Sequence, residues 1–439
     1  MTAGLARASV RHRPVAFAGV FGVLVLSATV VTASVAMLRT ASGVRPGAAR
    51  EELATMGAGF TVVTGYLSVF LIAMVMALSV AQRTQEHAMV RAVGGTPWQI
   101  RRTVAAEALC TALPALPVGY LLGWALARGW LAGMTAHGLV PQGVPLVVGA
   151  PPALAAGGVL LVTSQLGGVL AAHRAARARP ADALGEAAGA RRGLTVTGVL
   201  RGVGTLLALC GAAVLTAVTA AGPREDVGEH LPLVLLAHLV AVGCAGPALG
   251  RAAVLLLTWP VRLVTAPRVL GGGAAAQLAL AQVRAQARRL SSALAPVALV
   301  VAFTLVKLAA LAHSADPPWV DLFATVLYAA FAATAAALTL MMLSAEGRRE
   351  VALLRSVGAG AGQVVRMRMT EAVTVAVTGY GVGTAVALAV TLPLGDAAGA
   401  SLTALPAGTW AGTGAGVLAL ALASTLAPVP GHLRRALRR

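Results

Sequence analysis

The sequence predicts an all-α integral membrane protein of about ten transmembrane helices, built as two parallel four-helix repeats joined by a two-helix linker. Three observations predict it. The 439 residues are 58% hydrophobic and only 11% charged, with the charges clustered between long apolar runs. The arginines alternate between rich and poor segments along the chain, and a set of polar and glycine positions recurs at one constant spacing. Amphipathic helices of a water-soluble protein would spread their charges along every helix instead.

A bilayer core of about 30 Å needs roughly 20 apolar residues of helix. Ten stretches qualify, at 15–38, 56–81, 103–127, 145–172, 202–221, 231–250, 292–312, 319–344, 372–394 and 409–429. They must be helical, because lipid offers no partner to an unpaired backbone N–H or C=O. The abundant glycine and alanine suit close approach of one such helix to another.

A net charge of +19 raises the question of nucleic acid, and the position of the charges answers it. With the N-terminus in the cytoplasm, 28 of the 34 Lys+Arg fall on the inner side, before the first span and at 83–102, 174–201, 251–289, 348–368 and 434–439. The outer loops hold Arg39, Arg45, Arg50, Arg128 and Arg224, and Lys307 lies inside a span. This positive-inside asymmetry places both termini in the cytoplasm of a multi-pass cell-membrane protein. The excess charge then reads as topology and attraction to anionic lipid, with no nucleic acid as partner. The first apolar run, which follows Arg7, Arg11 and Arg13, is too long for a signal peptide and reads as a retained span. Cys110, Cys210 and Cys244 lie in separate spans without CxxC spacing and read as buried small apolar residues.

The repeat is the most informative feature. Glu86, Arg91 and Gly94 align without a gap with Glu350, Arg355 and Gly358, and the same offset of 264 pairs Gln99 with Gln363, Arg102 with Arg366, Glu107 with Glu371 and Gly119 with Gly383. Alanine and valine bias does not generate seven polar or glycine identities in one register. Each copy is a four-span unit, at 15–172 and 292–429, with the spans at 202–221 and 231–250 between them. An even number of spans separates equivalent points, so both copies enter the membrane the same way up, related by an axis along the membrane normal. The expected division is 1–180, a linker region at 181–270, and 271–439, with the first boundary marked by Pro180, Gly185, Gly189 and Gly193 within 173–201.

The paired inner loops, 83–102 and 347–366, carry the functional reading. Each combines arginines, an acid and a glycine turn with a helical stretch leading into the next span. A helix held across the ends of two membrane helices can receive a push from a soluble partner through charge-assisted contacts. The plain alternative is a positive-inside loop on headgroups, but topology demands only positive charge and no particular Gln, Glu or Gly.

The pattern Glu-x-x-x-x-Arg-x-Val-Gly, followed by Gln, basic residues, Glu and a glycine-bearing span, resembles the core of the FtsX/MacB-type ABC transporter permease family, present twice, at about 56–180 and 319–432. Arg179-Pro-Ala-Asp-Ala-Leu184 resembles the Pro-x-x-Ala-Leu tail of that domain, and the basic stretch 282–289 its entry to the second half. The resemblance implies that Glu86, Arg91, Gly94, Gln99 and Arg102, with Glu350, Arg355, Gly358, Gln363 and Arg366, form two loops that couple to a cytoplasmic ABC ATPase, two copies per chain. Many members carry a large extracytoplasmic domain after the first span of a unit, whereas the gaps here are only about 40–55 and 313–318.

The chain has no ATPase of its own. A P-loop needs a lysine after its glycines, and the single lysine, Lys307, stands in Phe-Thr-Leu-Val-Lys-Leu-Ala-Ala. No cofactor or metal motif is present. Lys307 is a candidate intramembrane polar site: it either snorkels to the outer surface or lines a path, with Asp316 or Asp321 as partner. His238 reads as a packed or hydrogen-bonded side chain, and Glu107 and Glu371 as partners of Arg102 and Arg366. The expected function is the permease subunit of an ABC transporter exporting an amphipathic lipid or peptide. The rivals are a secondary transporter, for which the chain has few intramembrane ionisable groups, and a sensor or scaffold using the same ATPase.

Overall fold

A computed structural model describes residues 14–45, 47–177, 196–264, 273–312, 319–346, 353, 356–358, 360–398 and 401–426. Its helices are α1 (Pro14–Gly43), α2 (Ala48–Ala81), α3 (Thr84–Ala92), α4 (Pro97–Ala136), α5 (Ala150–Arg177), α6 (Val196–Ala221), α7 (Arg224–Val264), α8 (Gly273–Ala312), α9 (Trp319–Glu346), α10 (Ala361–Ala398) and α11 (Ala407–Leu426). No strand occurs among the described residues. Nine of these helices are long and apolar enough to cross a membrane. The remaining expected span, 231–250, corresponds to a shorter apolar stretch, His230–Gly246, inside α7.

Several helices run well past the spans the apolar runs predict. The helix around the predicted span 103–127 is α4, of 40 residues, about 60 Å long at 1.5 Å per residue. Hydropathy marks where a helix meets lipid, whereas helical hydrogen bonding continues through good helix formers such as Ala49, Glu51, Glu52 and Leu53, which extend α2 at its start.

The chain divides into two compact units, Met1–Gly193 and Leu194–Arg439. In the first, α1 packs against α2, α4 and α5, α2 against α5, and α4 against α5. The second repeats those five pairings with α8, α9, α10 and α11 in the same roles. There α6 and α7 pair with each other, α7 also lies against α8 and α10, and α6 touches α10. The central helices are α1 and α8, whose side chains from Val20 to Ala41 and from Ala293 to Ala309 supply much of each core.

Glycine explains how the central crossings close. A Cβ at Gly119 of α4 would lie 2.3 Å from Ala28 Cβ and 2.9 Å from Val25 O of α1. One at Gly383 of α10 would lie 2.5 Å from Val301 Cβ and 2.9 Å from Ala298 O of α8. Glycine alone permits this approach, and the same register is used twice. Val25 and Ala28 stand 273 residues before Ala298 and Val301, against 264 for the glycines, so the first repeat holds nine more residues (273 minus 264) between these points.

Candidate coupling loops at the basic end of each repeat

Between α2 and α4 the chain makes the short helix α3, nine residues long, and then a turn built on glycine. Gly94 has φ +95°, its N–H donates to Arg91 O at 3.0 Å, and the Gly95 N–H donates to Val90 O at 2.9 Å. This left-handed closure satisfies carbonyls at the end of α3 and selects glycine. Helix α4 then opens on a capping box: Thr96 Oγ1 accepts from the Gln99 N–H at 3.3 Å, and Gln99 Oε1 accepts from the Thr96 N–H at 2.9 Å. Pro97 sits in the first helical turn, where its missing N–H costs nothing.

The second repeat reuses the frame. Gly358 has φ +99°, and Gln363 Oε1 accepts from the Gly360 N–H at 3.0 Å. Gly94, Gly358, Gln99 and Gln363 are therefore builders of the turn. Glu86 and Arg91 are half-buried on α3, and Arg102 is exposed on α4. Arg366 lies on α10 with its side chain outside the described residues, as are Glu350 and Arg355.

What the repeat comparison missed is apolar. Met89 and Val93 are 58% and 91% exposed, and their equivalents at the same offset, Leu353 and Val357, are 66% and 87% exposed. Trp98, 67% exposed, adds to the first loop. Met89, Val93, Leu353 and Val357 lie outside the candidate spans, and burying one against a partner gains about 1.5–3 kcal/mol. The signal was present, since Val93 and Val357 are identical, but it carries little weight in a chain so rich in valine.

The structure corrects the expected ion pairs. Glu107 pairs with Arg83, Nη1 to Oε2 at 2.5 Å, and not with Arg102. Glu371 pairs with Arg368 at 2.7 Å, three residues earlier on its own helix. Residues five apart on a helix point to different faces, whereas those three or four apart are neighbours. Arg83 joins α2 to α3, is buried, and lays its guanidinium 4.6 Å from the centre of the Phe17 ring on α1. His87 lines the same cleft. Burial holds its imidazole below the ordinary 6.5; Glu107 opposes that shift, and Arg83 adds to it.

Lys307 is half-buried on α8, and Asp321, in the first turn of α9, acts on it electrostatically. Asp316 lies outside the described residues. His238 Nδ1 lies 2.9 Å from Val234 O of its own helix, the hydrogen-bonded state expected. The cysteines depart from expectation: Cys110 and Cys210 are exposed and Cys244 is partly so. In a membrane protein the outward face is as apolar as the interior, so an apolar residue type does not predict which side it takes.

The family model of the FtsX-like permease C-terminal domain matches residues 58–180 and again 322–431. The two matches start 264 residues apart, at the spacing of the repeat, and together cover more than half of the chain. Comparison with curated proteins and with solved structures gives no match. This multi-pass membrane chain, with the same domain and the same basic-end turn built twice, belongs to the FtsX-like permease family.

Proposed function

We propose that the chain is the membrane subunit of an ABC transporter in the cell membrane, with both termini cytoplasmic, and that a separate cytoplasmic ATPase docks on its two basic-end loops, one copy at each. Members of this family normally work with such an ATPase. The observation that carries the reading is the repeated surface: an exposed apolar pair, Met89 with Val93 and Leu353 with Val357, presented at a glycine turn in a basic loop. An apolar knob with a cationic rim fits an apolar groove edged by acids, where the knob gives affinity and the charges give orientation.

The proposed substrate is an amphipathic lipid or peptide. The connection between α1 and α2 is only four residues, 44–47, which leaves little outside the membrane to grip a large soluble molecule. A substrate already partitioned into lipid can be reached by packing changes within each four-helix unit.

Copurification of the tagged chain with its ATPase, followed by mass measurement of the intact complex, tests the assignment. Two ATPases per chain are expected. Arg91→Glu with Arg102→Glu, and separately Arg355→Glu with Arg366→Glu, should each weaken association, since like charges at a close interface cost several kcal/mol. One ATPase per chain, or full association in both double variants, overturns the docking assignment.

A further inference from the structure

Where α3 leaves the end of α2, the first unit holds a cleft that is apolar in its walls and cationic where the chain turns. Phe17 of α1, Met76 and Val80 of α2 and Val104 of α4 line it together with Arg83 and His87. The candidate span within α2 ends at Ala81, so Arg83 stands just past it, at the level of the bilayer boundary. Met76 lies inside that span, about 7.5 Å deeper at 1.5 Å per residue.

Arg83 is only 6% exposed, yet half of its guanidinium is unused. Nη1 donates to Glu107 Oε2, whereas Nη2 is buried without a hydrogen-bond partner. The same holds for Gln82 Nε2, His87 Nδ1 and Arg101 Nε, and Arg101 stands one turn before Val104 on the same face of α4. Among the described residues from 79 to 111, every buried side-chain polar atom left without a partner is therefore a nitrogen, and all but His87 Nδ1 can only donate. A buried donor without an acceptor destabilises the packed state. A water would accept from two of them but brings two hydrogens that need acceptors in turn, whereas an anion with several oxygens brings only acceptors. The charges agree, since Arg83, Arg91, Arg101 and Arg102 outnumber Glu86 and Glu107 along this stretch.

We propose that this cleft binds the phosphate of an anionic phospholipid, with one oxygen accepting from Arg83 Nη2 and the acyl chains remaining in the bilayer. The free space among the lining side chains is about that of one water molecule, which admits a single oxygen and leaves the rest of the headgroup at the open side. Basic pockets between membrane helices suit such headgroups, and apolar walls at the bilayer boundary favour a lipid over a free phosphate. Glu107 is then a positioning residue: it holds Arg83 through Nη1 and leaves Nη2 for the ligand. A headgroup held there braces the base of α3 against α1 and α4, so lipid composition acts on the first loop whether or not an ATPase docks on it.

The test uses the full chain in detergent, with phospholipid supplied in mixed micelles and retained lipid counted by native mass spectrometry. The parent should hold phosphatidylglycerol at least about tenfold more tightly than phosphatidylcholine, and millimolar inorganic phosphate should not displace it. Arg83→Gln with Glu107→Gln removes the buried pair together, leaves no unpaired charge, and should weaken retention roughly ten- to a hundredfold. Arg102→Gln, which takes an exposed arginine from the same stretch, should retain the lipid as the parent does. Equal loss in the two variants would mean diffuse attraction to a basic surface and overturns the site, as does full retention in the double variant. Equal retention of phosphatidylcholine overturns the anionic assignment, and displacement by inorganic phosphate overturns a lipid as the source. Should the double variant fail to accumulate, amide exchange in the parent decides: phosphatidylglycerol should slow exchange across 84–95 roughly tenfold relative to phosphatidylcholine, and equal exchange in the two lipids overturns the proposal.

Discussion

Replacing Gly119 by alanine should loosen the first unit, by an amount the geometry bounds. The new Cβ would stand 2.3 Å from Ala28 Cβ and 2.9 Å from Val25 O. Carbon atoms pack at about 3.5–4.0 Å, so α4 must withdraw from α1 by more than about 1 Å where they cross. Overpacking of this kind costs about 1–3 kcal/mol, and the helix preference of alanine over glycine returns up to about 1. A net loss of about 1–2 kcal/mol reduces the folded-to-unfolded ratio roughly 5- to 30-fold. Unfolding of the purified chain in micelles by increasing dodecyl sulfate, followed by circular dichroism, reads this directly. Gly129→Ala is the control on the same helix, since nothing lies within 4 Å of its Cβ position, and it should be neutral or stabilising. Equal behaviour of the two variants would refute the close crossing of α1 and α4.

Three further outcomes are expected. Val93→Asp and Val357→Asp, at side chains 91% and 87% exposed, should each weaken ATPase binding roughly ten- to a hundredfold in a pull-down titration without changing expression, and unaltered binding would remove the apolar knob from the interface. Because burial lowers the pKa of His87, the opened form of α3 binds more protons than the packed form, so packing is strongest above pH 6.5 and weakens as pH falls from there toward the folded value. Amide exchange at 84–95 should therefore rise on acidification below 6.5 and lose that dependence in His87→Gln, whereas a flat profile in the parent would show that His87 is not held neutral by packing. Cysteines at positions 48 and 228 should react with a membrane-impermeant label from outside, and those at 187 and 360 only from inside; any reversal requires the topology to be redrawn.

Much of the candidate site was legible because chemistry there needs particular residue types. Gly94 and Gly358 recur because a left-handed closure excludes side chains, and Gln99 and Gln363 because each reaches back to cap a backbone N–H. Their recurrence drew attention to both turns, and the geometry shows that their work there is to build the turn. The exposed Met89, Val93, Leu353 and Val357 stayed hidden because apolar residues are so common in this chain that recurrence among them carries little information.

By itself the sequence determined that the chain is a membrane protein of helices and that it is duplicated. Both follow from local quantities: the length of an apolar run against the bilayer, and residue identity at a fixed spacing. Only the tertiary structure decided which groups meet. The partner of Glu107 lies 24 residues away on another element, at Arg83, and no spacing rule finds a pair that exists only once α2 and α4 have packed around Phe17 of α1. The same holds for Gly119 and Gly383, whose importance to packing depends on the backbone of a helix roughly 90 residues earlier coming close enough to exclude even a methyl group.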